Sequence, residues 1–215
     1  MHRVDEIQNA LPAVAKVKGS TLPIETRVED ELAKWEGLVE SDSQAQPLLS
    51  KYWEGVNYPG WTPDVPWSAA FISWVLAPYN FQGQPSHVAY TESVLNEESP
   101  GWMAYSIPKN QGNIKLQPGD VLIRKRTSSD TASHGDVVYK IADGTAWLAG
   151  GNLSNTAKVA ATIPVDKKGY ASNISDYQII LKPGGSYLPE KLVGGLYFGL
   201  YAAWLGYLAV QHKRG

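Results

Sequence analysis

The chain has 215 residues, 43% hydrophobic and 19% charged, which excludes wholesale disorder and fits one large domain, alone or with an appendage. Lys and Arg number 19 against 21 Asp and Glu, and a net charge of −2 argues against a nucleic-acid partner. Cysteine is absent, so there is no disulfide, no thiolate metal site and no cysteine nucleophile.

Residues 1–23 read as an N-terminal arm. His2, Arg3, Asp5 and Glu6 interrupt it, and Pro12 and Lys16 break the apolar stretch that follows. A secretory signal needs an unbroken apolar run of about 7–15 residues, so none is expected here. Residues 24–56 are predicted helical from the three-to-four spacing of Leu32, Trp35, Leu38 and Val39. Pro59, Gly60, Pro63 and Pro66 then mark a loop.

A second helix is predicted from that loop. Asp64 lies in its N-cap region, and Pro66 lies in its first turn, where a missing N–H costs nothing. Trp67 to Leu76 is apolar nearly all round, the pattern of a buried helix, and Pro78 stops it. After about residue 115 the pattern turns to short strands at 119–124, 133–140, 146–152 and 177–181. Asp143-Gly144 is the hairpin turn between the second and third. Helices first and an antiparallel meander afterwards predict an α+β fold for a domain at 24–188.

Residues 189–215 form a separate C-terminal segment after a Pro183-Gly184-Gly185-Ser186 hinge. Leu192 to Val210 carries no charge over 19 residues, and about 20 apolar residues span a bilayer core. Gly195, Gly199, Ala202, Gly206 and Ala209 share one helical face. Gly195-x-x-x-Gly199 is a close-approach pattern for helices packing in lipid. This hydrophobic helix either enters a membrane or assembles with another helix, or it completes the soluble core.

The residues that point to chemistry are Ser68, His134 and Asn152. Ser68 opens the buried helix, where backbone N–H groups and the positive helix end favour an oxyanion. His134 begins one strand and Asn152 ends the next, giving a nucleophile, a base and an orienter. His87 is either structural or a second site residue near Ser68. Asp136 lies two residues from His134, on the same strand face, and is either its partner or a surface acid. Trp61, Trp67 and Trp102 are candidate substrate walls or core residues. The four histidines, His2, His87, His134 and His212, have no metal-ligand spacing, so neither metal nor cofactor is expected.

Four segments resemble a known superfamily. Pro66-Trp67-Ser68-Ala69-Ala70-Phe71-Ile72-Ser73-Trp74-Val75 resembles the nucleophile helix of CHAP-type and NlpC-like peptidoglycan amidases and endopeptidases. Pro118-Gly119-Asp120-Val121-Leu122 resembles the strand before their catalytic histidine, and Ser133-His134-Gly135-Asp136-Val137-Val138 resembles the histidine strand itself. Gly150-Gly151-Asn152 resembles the strand that ends at their third polar residue. The wording is closest to a branch with serine at the cysteine position and a Ser-His pair soon after the helix, as in Ser86-His87-Val88-Ala89-Tyr90.

The resemblance implies a papain-like fold, with the site at the helix end. It also implies an amide-bond hydrolase acting on peptidoglycan, with Ser68 as nucleophile, His134 as base and Asn152 as orienter. Serine forms no thiolate–imidazolium pair, so three readings stay open: a serine hydrolase, an inactive domain that still binds glycan or peptide, or a plain helix-start serine. A phage virion or host envelope complex suits a wall-directed fold without a signal. There the chain acts at host entry, or it is an inactive structural protein whose C-terminal helix inserts in membrane, forms homo-oligomers or binds virion partners.

Overall fold

The computed structural model describes residues 22–62, 64–110, 112–125 and 133–184. Among the described residues, four α-helices, α1 (Ile24–Ala33), α2 (Gln46–Gly55), α3 (Ser68–Leu76) and α4 (His87–Leu95), precede all of the strands. The strands are β1 (Met103–Ser106), β2 (Val121–Lys125), β3 (Ser133–Ala142), β4 (Thr145–Gly150), β5 (Lys158–Pro164) and β6 (Ile179–Lys182). They form one six-stranded antiparallel sheet in the order β1-β6-β2-β3-β4-β5. The fold is α+β; β2 to β4 run as the expected meander, and β5, for which no strand was predicted, continues it. The last strand, β6, inserts between β1 and β2.

Strand alternation gives the sheet two buried faces. Val121, Ile123, Val137 and Leu181 face the helices. Leu122, Val138, Leu148 and Ile180 face away and are covered by Ile114, Leu116 and Tyr177 from the connecting loops. The β2–β3 register pairs Leu122 with Asp136, Ile123 with Gly135 and Arg124 with His134. Paired residues share a face, so His134 and Asp136 lie on one side of β3 and Gly135 on the helix side.

The segment predicted as one helix over 24–56 is two. Residues 34–45 turn back, with Gly37 left-handed at φ 74°, and Pro47 lies in the first turn of α2. The hairpin turn is where the sequence puts it, with Asp143 at φ 50° and Gly144 at φ 71°, as a two-residue primed turn requires. The strand expected over 146–152 ends at Gly150, because Asn152, Ser154 and Asn155 are all left-handed. Helix α4 and strands β1 and β5 had no counterpart among the predicted elements.

Helix α3 begins later than its proline implies. Trp67 occupies the N-cap position with φ −99° and ψ 8°, so Pro66 lies outside the first turn. The Trp67 indole sets that geometry. It stacks on Trp35 at 4.6 Å between ring centres, and its Nε1 donates to Glu40 Oε2 at 2.7 Å. Trp35 Nε1 donates to Tyr52 Oη (2.8 Å), which donates to buried Glu31 (2.5 Å). Burial disfavours the Glu31 carboxylate, but hydrogen bonds from Lys34 and Tyr52 and the Lys51 charge outweigh it and hold its pKa below the ordinary value. At the other end of α3, the Arg27 guanidinium donates to the carbonyls of Trp74 and Val75, each at 2.8 Å, satisfying last-turn acceptors.

Among the described residues no helix is long and apolar enough to cross a membrane. The Leu192–Val210 segment and its small-residue face lie outside the described residues, as does the N-terminal arm.

Candidate active site

Helix α3 aims its first residue at α4. Ser68 Oγ lies 2.7 Å from His87 Nε2. His87 opens α4, whose N-cap Ser86 accepts from the Ala89 N–H at 3.1 Å. Three residues on, and so on the same helix face, Tyr90 places its hydroxyl 2.5 Å from His87 Nδ1. Ser68 is 3% exposed and His87 6%.

Tyr90 and Ser68 can each donate or accept, so either tautomer of His87 satisfies this pair of hydrogen bonds. With the proton on Nδ1, His87 donates to Tyr90 and leaves Nε2 bare to accept from the Ser68 hydroxyl. In that form the imidazole is a base poised on the serine. No side chain caps α3. Its first-turn N–H groups, which have no carbonyl one turn back, therefore gather beside Ser68.

A second imidazole adjoins the first. His134 is 2% exposed, and its ring meets that of His87 edge to face at 5.9 Å between centres. Its Nε2 lies 2.9 Å from Asp136 Oδ1. Asp136 is fully buried; its other oxygen accepts from Tyr177 at 3.0 Å, and the Arg124 guanidinium lies 3.7 Å away. Burial, then the Asp136 charge, pushes the Tyr177 phenol well above its ordinary range, so it stays a neutral donor. His134 Nδ1 is buried with no hydrogen-bond partner among the described residues.

Two glycines make room for these contacts. A Cβ on Gly135 would lie 2.5 Å from Tyr90 Oη and 2.8 Å from His87 Nδ1. A Cβ on Gly150 would lie 2.5 Å from Asp136 Oδ1. Gly135→Ala is therefore expected to push α4 off the strand and separate His87 from Ser68. The stability cost is about 1–3 kcal/mol, the usual range for overpacking a core, and urea denaturation would read it. A stability equal to the wild type would show that the helix yields freely there.

The sequence-derived residues divide accordingly. Ser68 stands at the helix start as expected, but the base it touches is His87, while His134 pairs with Asp136. Asn152 lies just past β4, half-buried at φ 55°, and the imidazoles take their orientation from Tyr90 and Asp136 instead. Trp67 and Trp102 are not substrate walls, because both are buried. Trp67 is in the aromatic stack, and Trp102 donates to the Tyr79 carbonyl at 2.9 Å and packs on Phe81. Trp61 keeps partial exposure and stacks on Trp53. Tyr90 and Tyr177 were missed. For Tyr90 the signal was present: Ser86 as N-cap, then His87 and Tyr90 at helical i, i+3 spacing. Among the described residues no group of three or more His, Asp or Glu is placed to hold a metal.

A family model described as uncharacterised proteins conserved in bacteria (DUF2272) matches residues 28–180, well over half the chain. The chain belongs to this family. The matched span holds all the site residues above, from Ser68 to Tyr177. No curated protein matches the chain.

Proposed function

We propose that this protein is a serine hydrolase of papain-like architecture that cleaves an amide bond in peptidoglycan stem peptides. One observation carries the reading: Ser68 Oγ is 2.7 Å from His87 Nε2, and the far nitrogen of that ring is fixed by Tyr90. A nucleophile, a base and an orienter, each in reach of the next, are the parts that acyl transfer requires. The uncapped first turn of α3 supplies N–H donors for an oxyanion. The substrate class rests on the sequence resemblance to CHAP-type and NlpC-like wall enzymes. Membership in a family conserved in bacteria accords with it.

The chemistry is serine acyl transfer. Ser68 Oγ attacks the carbonyl carbon as its proton passes to His87 Nε2. The amine leaves, and water then releases the acyl group from Ser68. Relative to the sequence-based expectation, the base is His87 in place of His134.

A second reading is an inactive domain with a structural or binding role. The near-complete burial of Ser68 and His87 favours it, because a Ser–His hydrogen bond also satisfies two buried polar groups. Isolated sacculi separate the two readings. Incubation followed by mass spectrometry of the soluble fraction is expected to give defined muropeptide fragments with the full chain and none with Ser68→Ala. No fragments from sacculi of either Gram type would leave the inactive reading.

A further inference from the structure

The second imidazole has a chemistry of its own. An ionised carboxylate accepts hydrogen bonds and donates none, so the His134 nitrogen facing Asp136 carries a proton. The atom free to gain or lose a proton is then Nδ1. That atom is buried with no hydrogen-bond partner among the described residues. The ring that bears it sits against His87, the base of the proposed dyad, at 5.9 Å. The glycines at 135 and 150 keep that contact and the Asp136 hydrogen bond clear of side chains.

Resting on the hydrolase reading, we propose that His134 is a second proton carrier of the site, serving the leaving amine and the incoming water while His87 serves Ser68. In acylation the Ser68 Oγ–carbonyl bond forms and the serine proton goes to His87 Nε2. The carbon–nitrogen bond then breaks, and the leaving nitrogen takes the Nδ1 proton of His134, which enters the cycle protonated on both ring nitrogens. In deacylation a water oxygen bonds to the acyl carbon and its proton goes to His134 Nδ1. The carbon–Oγ bond breaks, and Oγ recovers its proton from His87. The cycle returns both imidazoles to their starting states and consumes one water per amide cleaved.

Among the described residues, the charged and titratable groups around His134 are Asp136 on its own strand, Arg124 on β2, Tyr177 before β6, and His87 and Tyr90 on α4. Asp136 holds the ring by Nε2, and Nδ1 is the ring nitrogen left without a hydrogen-bond partner among the described residues.

The test uses His134→Gln in the full chain, with p-nitrophenyl acetate and isolated sacculi as probes. Glutamine keeps an amide near the Nε2 position but removes Nδ1. A nitrophenolate leaves without a proton, so acylation is expected to persist as a burst of one nitrophenol per protein. Turnover is then expected to stall, with acetyl-Ser68 accumulating in the mass spectrum. Steady-state ester turnover and sacculus cleavage should both fall about 10²–10⁴-fold, the usual worth of a general acid or base.

Unchanged turnover in His134→Gln would overturn the proposal, and so would loss of the burst in a variant with wild-type circular dichroism, because His134 would then only support His87. If the variant does not fold, deacylation of the wild-type acetyl-enzyme decides. It needs His87 protonated and His134 unprotonated, so its rate should be bell-shaped in pH, and a flat or single-limbed profile would overturn the assignment. Wild-type protein inert toward both probes would instead remove the hydrolase reading, and this proposal with it.

Discussion

Replacing His87 by glutamine is expected to abolish fragment release from sacculi, with a fall of about 10⁴–10⁶-fold, the range seen when a member of a serine–histidine unit is removed. Glutamine can still meet Ser68 through hydrogen bonds, but it takes no proton, so the fold should survive while the chemistry stops. The same change opens the His87–Tyr90 contact, at a cost of about 1–3 kcal/mol if the tyrosine hydroxyl is left short of a buried partner. Because Ser68 and His87 act together, the double variant Ser68→Ala/His87→Gln should be no slower than either single variant. Additive losses would mean that the two residues do not share a step. A His87→Gln protein that still released fragments would move the base back to His134, the residue first expected from the strand pattern.

The second large effect concerns stability. Lys182 Nζ is buried, 2.5 Å from Asp120 Oδ2, and it also donates to the Lys115 carbonyl at 2.8 Å. Lys182→Met is expected to cost about 3–5 kcal/mol near pH 7, as when one partner of a buried pair is removed. The pH dependence has a definite sign. Burial pushes the Asp120 carboxyl up to about 6 from an ordinary 3.8, even with Lys182 and the Gln117 N–H pulling it down. The folded protein therefore holds this proton more tightly than the unfolded chain does. The contribution of Asp120 to stability is full below the unfolded value and declines as pH rises through about 6. In Lys182→Met the countercharge is gone, so the deficit should be largest near neutrality and shrink as the carboxyl is neutralised toward about pH 4. Guanidinium unfolding at several pH values would show this slope, and a deficit constant with pH would rule out the Asp120 charge as its source.

Both predictions depend on contacts that join residues far apart in the chain. Asp120 belongs to the Pro118-Gly119-Asp120 turn, and the sequence offers no sign that its partner lies on β6. The insertion of β6 between β1 and β2 makes that pairing, and it depends on which strands bury together. The Ser68–His87 contact is of the same kind. Its two residues open consecutive helices, and they meet only because α3 and α4 converge where Gly135 leaves space.

The sequence by itself determined the order of elements and the local chemistry of their ends. Helices before strands follow from the change of apolar period. The Asp143-Gly144 turn follows from its need for two left-handed residues, and Ser68 at the head of an apolar helix follows from the proline-rich loop before it. The shared strand face of His134 and Asp136 follows from a period of two along β3. These features depend on neighbours within a few residues. The tertiary structure decided the rest. It gave Ser68 to His87 and His134 to Asp136, and it buried Trp67 and Trp102 as core. It also split the first predicted helix at residues 34–45. Each of these outcomes turns on which faces pack together, and a one-dimensional pattern of apolar residues marks a face as buried without naming what buries it.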